Sequence, residues 1–177
     1  MNSALYEGYL AEREQWTRTF LKTHTYGARV RHEIYAELIF PVLLAGSKRN
    51  DAWSLYWLAG TCQNLYSAHS LYELIKFKRK TDLLKDAYAI DRASTEVREA
   101  LLKVCWMISL TPAMSGRQLY YGALNGLHPT SVSKIMSEVA FARELDREYA
   151  YALSIDEFES KVKQYKERLM SDPRNPF

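Results

Sequence analysis

The sequence predicts an all-α protein. Apolar residues recur three or four positions apart in one window after another, which is the period of a helix with one buried face. No segment sustains the alternation of a half-buried strand. The 177 residues include only 7 Gly and 5 Pro, too few turn formers for a β-sandwich. An apolar content of 47% supports one core, and 25% charged with 13% aromatic residues excludes a disordered chain. The expected architecture is a single-domain antiparallel helical bundle or hairpin array of about seven to eight helices. It covers residues 1–171, with 172–177 as a C-terminal tail and no significant sheet.

The elements follow in order. Leu5, Tyr9, Trp16 and Phe20 place a helix over 3–22, and Gly27 marks the turn after it. Val30, Ile34 and Leu38 place a second helix over 29–45, kinked or ended early by Pro41 and stopped by Gly46. Asn50 or Asp51 caps a third helix to about Ser67, apolar on more than one face and therefore expected at the centre. Ser70 and Glu73 have capping-box spacing, so a short helix should follow to about Lys78, and Thr81 should cap another over 82–90. Ser94 caps a helix over 95–110 that Thr111-Pro112 ends. Residues 113–129 hold three glycines and no period, and read as a long irregular segment. Thr130 or Ser131 opens a helix carrying Val132, Ile135, Val139 and Ala142. The last helix has a capping box, Ser154 with Glu157, and a seam of Ile155, Phe158, Val162, Tyr165 and Leu169 that should pack on another helix.

The stretch Ala87-Tyr88-Ala89-Ile90-Asp91-Arg92-Ala93-Ser94-Thr95-Glu96-Val97 and onward to Leu101 resembles the junction between two tetratricopeptide repeats. A helix closes on Ala-x-x-Ile-Asp, the chain turns through polar residues, and a new helix opens with apolar positions four apart. Arg92, Arg98 and Leu102 depart from the repeat's usual proline, aromatic and small residue, and no 34-residue period runs through the chain. The resemblance implies antiparallel helical hairpins and, by analogy, a binding role.

Chemistry-bearing patterns are sparse. No histidine has a glutamate three positions before it, as paired-helix di-iron sites require, and His32-Glu33 lacks the second histidine of a zinc-protease helix. Glu33/Glu37 and His69/Glu73 share helix faces, a spacing also common on solvated helices. No nucleophile elbow or phosphate-binding glycine loop occurs. Cys62 and Cys105 sit in apolar helical patterns and read as buried free thiols of a reducing compartment. The expectation is a non-enzymatic protein with no cofactor and no metal. The start of the chain lacks the pattern of a secretory signal, and no apolar run approaches a membrane span, so the expected location is cytoplasmic.

A net charge of +3 is too mild for a dedicated nucleic-acid binder. The residues Arg117, Tyr120, Tyr121, Asn125 and His128 are the candidate protein-binding set, because the 13 tyrosines and 4 tryptophans exceed what filling a core requires. The expected role is a protein-binding module, such as an inhibitor or immunity-type protein that neutralises a bacterial toxin. For that role Glu138, Glu144, Asp146, Glu148, Asp156, Glu157 and Glu159 offer an acidic set, diluted by intervening lysines and arginines. The alternative is a helical subunit that binds RNA or DNA backbone through Lys76, Lys78, Arg79 and Lys80, extended by Arg29, Arg31, Lys48 and Arg49. That basic run also reads simply as a helix C-terminus, where cations meet the last carbonyls.

Overall fold

A computed structural model describes residues 3–109 and 129–171, and among these every regular element is helical, with no strand. The chain divides into two compact units, Met1–Val97 and Arg98–Phe177. None of the described helices is long and apolar enough to cross a membrane.

In the first unit α1 (Ser3–Thr23) buries Thr17 and Leu21 and leaves Trp16 half exposed, stacked on Phe20. The chain then passes Val30 without regular structure into α2 (His32–Ile34), a π-helical turn (Tyr35–Ile39) and α3 (Phe40–Lys48). The expected start at Arg29 is therefore too early. Asn64 explains the delay: its Oδ1 accepts from the Val30 N–H at 3.1 Å and its Nδ2 donates to the Val30 carbonyl at 2.6 Å. Both backbone groups of Val30 are thereby taken up by a side chain that is itself buried, and a helix that needed them cannot form.

Pro41 does not end the second helix. It has no N–H to donate, and the turn before it widens so that Phe40 N–H bonds to the Tyr35 carbonyl five residues back. Helical geometry then resumes. Gly46 does not stop the helix either. It lies buried inside α3, where a Cβ would come within 1.9 Å of Ser54 Oγ and 2.7 Å of Ser54 Cβ. The stop falls at Asn50, left-handed with φ 58°. Asn50 N–H bonds to Ser47 and Asp51 N–H to Gly46, the paired bonds that close a helix end around a left-handed residue.

Asp51 then caps α4 (Ala52–Gly60) by accepting from Trp53 N–H, as the sequence predicts. α4 buries Ser54, Leu55, Trp57, Leu58, Ala59 and Gly60, and α3 and α7 both pack on it, which makes it the core helix of this unit. The predicted single helix to Ser67 breaks at Thr61. The Thr61 hydroxyl donates to the Trp57 carbonyl at 2.7 Å, a back-bond that bends helices, and the Tyr35 hydroxyl lies 3.2 Å from Thr61 Oγ1. Burial pushes the Tyr35 hydroxyl's pKa far up, so it stays protonated. α5 (Cys62–Tyr66) carries Asn64 and the buried free thiol Cys62.

α6 (His69–Leu74) and α7 (Lys80–Ile90) complete the first unit, and Asp91 closes the turn that follows by accepting from the Ala93 and Ser94 N–H groups. Ser94 Oγ accepts from Val97 N–H at the start of α8 (Thr95–Ser109), the predicted cap.

In the second unit α9 (Pro129–Leu145) and α10 (Ala152–Ser171) pack along the predicted seam: Ile155, Val162 and Tyr165 are fully buried, and Val132, Ile135, Met136 and Phe158 gather around Val162 and Tyr165. α10 begins two residues before its predicted cap because buried Asp146 accepts from the Tyr151 N–H at 2.9 Å.

Two substitutions test this packing. Gly46→Ala forces the α3–α4 corner apart and should cost about 1–3 kcal/mol of unfolding free energy by urea titration. Asn64→Asp keeps the acceptor for Val30 N–H but removes the donor to its carbonyl. It should lower stability by about 1–3 kcal/mol, whereas Gln63→Glu on the exposed face of the same helix should leave it unchanged.

Candidate functional site

The corner between α6 and α7 is the feature of the first unit that its packing does not account for. The predicted helix to Lys78 stops at Leu74. The Lys76 N–H bonds to Glu73 and the Phe77 N–H to Tyr72, again the paired closure around a left-handed residue. Glycine is the usual occupant of the left-handed position. Here it is Lys76, with φ 56°, and Phe77 follows at φ 54°. Each such residue without glycine costs about 1 kcal/mol or more.

The aromatic side chains hold this turn. The Phe77 ring packs edge-on against Tyr72 and tilted against His69, each with centroids 5.2 Å apart. The Tyr72 hydroxyl donates to the Phe77 carbonyl at 3.0 Å. Tyr66 meets the other side of Tyr72, and its hydroxyl accepts from the Lys80 N–H. Ile75 turns inward, 6% exposed, while Tyr66, Leu74 and Phe77 remain 52%, 56% and 44% exposed. Three large apolar side chains thus face solvent within one turn region, a clustering that ordinary surfaces avoid.

Beside them α3, α4 and α7 enclose a groove of about 340 Å³. Half-buried Leu44 and exposed Leu74 form its apolar wall over the buried Leu55, Leu58, Ile75 and Leu83, and Lys48, Lys76 and Lys78 with Ser47 supply its polar lining. Among the described residues no carboxylate lines it.

The basic run does not form one continuous strip. Lys78 Nζ pairs with Asp86 at 2.5 Å, and Arg79 pairs with Asp82 at 3.2 Å. Lys80 Nζ sits 5.3 Å from the centre of the Tyr26 ring. Only the start of the run, Lys76, closes a helix; the rest leads into the next one, since Lys80 is the first residue of α7. Asp82 makes this start tolerable by accepting from the Arg79 N–H and guanidinium. Those bonds hold the Asp82 carboxyl below its usual range. Among the residues expected to extend the patch, Arg31 pairs with Glu33, Arg49 with Glu14, and Arg29 reaches Ser67. Lys48 alone joins Lys76 and Lys78 along the groove.

Arg117, Tyr120, Tyr121, Asn125 and His128 lie outside the described residues. No cluster of three metal-ligating side chains occurs among the described residues. The acidic set of α9 and α10 is largely engaged locally: Arg143 bridges Asp156 and Glu159, Lys161 pairs with Glu157, and Lys163 with Glu159.

Sequence reading missed Tyr66, Leu74 and Phe77. The available signal was the pair Tyr72 and Phe77, five residues apart, which flanks a left-handed helix end and supplies its apolar contact. Lysine in the glycine position concealed it.

Comparison of the chain with family models, curated proteins and solved structures gave no match.

The lowered carboxyl of Asp82 gives the α7 start a pH signature. Its contribution to stability is complete above the ordinary aspartate range and is lost as pH falls through and below about pH 4. Thermal melts from pH 6 to pH 2 should therefore show a shallower acid-side decline for Asp82→Asn than for the unsubstituted chain.

Proposed function

We propose that the protein is a non-enzymatic binding module that docks another protein on the α6–α7 corner. The observation that supports this reading most is the exposed set Tyr66, Leu74 and Phe77, the last two turned outward by two consecutive left-handed residues. Large aromatic and aliphatic side chains that are already fixed lose little freedom on binding and exclude much water, which is how interface anchors act. The backbone strain at Lys76 and Phe77 fits a surface kept for contact rather than for the stability of the free chain.

In its narrower form the reading is an inhibitor or immunity-type protein that occludes a toxin. Such a protein would engage its target through this apolar corner, since the acidic side chains of α9 and α10 are balanced by their own lysines and arginines. A phosphate-binding role is less favoured, because Lys78 and Arg79 are each paired with an aspartate.

The test is affinity capture from the native host with the unsubstituted chain and with Tyr66→Ser plus Phe77→Ser. A protein retained in stoichiometric amount by the former and lost by the latter, whose circular dichroism stays helical while its thermal midpoint falls modestly with the lost ring contacts, is the expected result. Unfolding of the double variant, or equal retention of the partner, contradicts the reading. So does a generic RNA oligonucleotide that binds with a steep salt dependence.

A further inference from the structure

We infer that the groove beside this corner accepts an acidic amphipathic segment of the partner protein, with apolar side chains on its leucine floor and carboxylates on its lysine rim. This rests on the protein-binding reading and specifies the chemistry of what binds.

Charge complementarity selects the occupant. Three lysines border the groove, and no carboxylate among the described residues lines it. Lys78 is held by Asp86, but Lys48 and Lys76 make no ion pair among the described residues. Both are exposed and come from different elements, the end of α3 and the turn after α6. Two unpaired cations at the lip of an apolar cleft favour a ligand that is apolar on one side and anionic beside it. Mismatched cations would be repelled during approach and left without partners on docking.

The identity of Lys76 adds a second argument. Its backbone is left-handed and closes a helix, a position where glycine costs nothing and lysine is strained. A cation is kept there against the local backbone preference. The groove's dimensions also suit a segment of polypeptide. At about 340 Å³ it takes a few side chains, and Leu74 on its lip is more than half exposed, so a bound segment would cover it. An amphipathic helix presents such a row at every third and fourth position.

The probes are two synthetic amphipathic peptides with leucines at alternating third and fourth positions. One carries glutamates between them and the other lysines. Binding is read by fluorescence anisotropy at low and high salt. The glutamate peptide should bind about tenfold or more tightly than the lysine peptide, and the difference should shrink as salt rises. In Lys48→Glu plus Lys76→Glu the preference should reverse, and Leu74→Asp should abolish binding of both peptides. Circular dichroism confirms that each variant remains folded.

Equal affinity for the two peptides, or binding of neither, overturns the inference. Saturable binding of laurate without binding of the glutamate peptide also overturns it, in favour of a free acyl anion. A captured partner that is lost with Tyr66→Ser plus Phe77→Ser yet unaffected by the lysine reversal overturns only this inference. The protein would then dock on the aromatic lip and not in the groove.

Discussion

The left-handed pair Lys76 and Phe77 is the constraint on which the surface of the first unit depends. The helix reaching Leu74 has to end, reverse and release the chain into α7 within five residues, and the paired backbone bonds to Tyr72 and Glu73 accomplish this. That closure sends Ile75 into the core and turns Leu74 and Phe77 outward. It also places Lys76 over the groove. With glycine at the turn the same backbone would form at lower cost, but the cation would be missing. The arrangement gives up some stability and gains a shaped, charged surface.

The interior supports this surface rigidly. α4 carries the core, packed on one side by α3 and on another by α7. Its contacts leave little room for adjustment: Gly46 admits Ser54, and Gly60 lies against the Tyr26 ring, which would stand 2.5 Å from an added Cβ. Tyr26 in turn stacks on Tyr56 and carries the Lys80 ammonium on its face. The Asn64 clamp fixes Val30 against the same core. Leu55, Leu58 and Leu83 are thus held in place as the groove floor before any partner arrives.

What the sequence disclosed and what it hid divide along physical lines. Local signals were readable. The seam of α10, the Asp51 cap, the Ser94 cap and the central burial of α4 all rest on interactions within a few residues or on one helix period. Features decided by distant partners were not. Asn64 looks like a polar interruption of an apolar stripe until Val30, 34 positions away, is seen beside it. Gly46 looks like a helix stop until Ser54 is seen to need its space. Pro41 signals disruption, but a wider turn absorbs its missing donor. The groove could not be foreseen because its floor is gathered from four separate helices and the turn between two of them. The basic run was visible, yet the ion pairs that split it depend on Asp82 and Asp86 folding back onto it.

Apolar side chains at the α6–α7 corner face water in the free protein while their sequence neighbour Ile75 fills the core. Methyl NMR of the isolated chain with a soluble paramagnetic probe reads this directly. Strong relaxation of the Leu74 methyls and little at the buried Leu58 and Leu83 is the expected result. Protection of Leu74 equal to that of Leu58 would contradict it, since the corner would then be part of the core with nothing left to present to a partner.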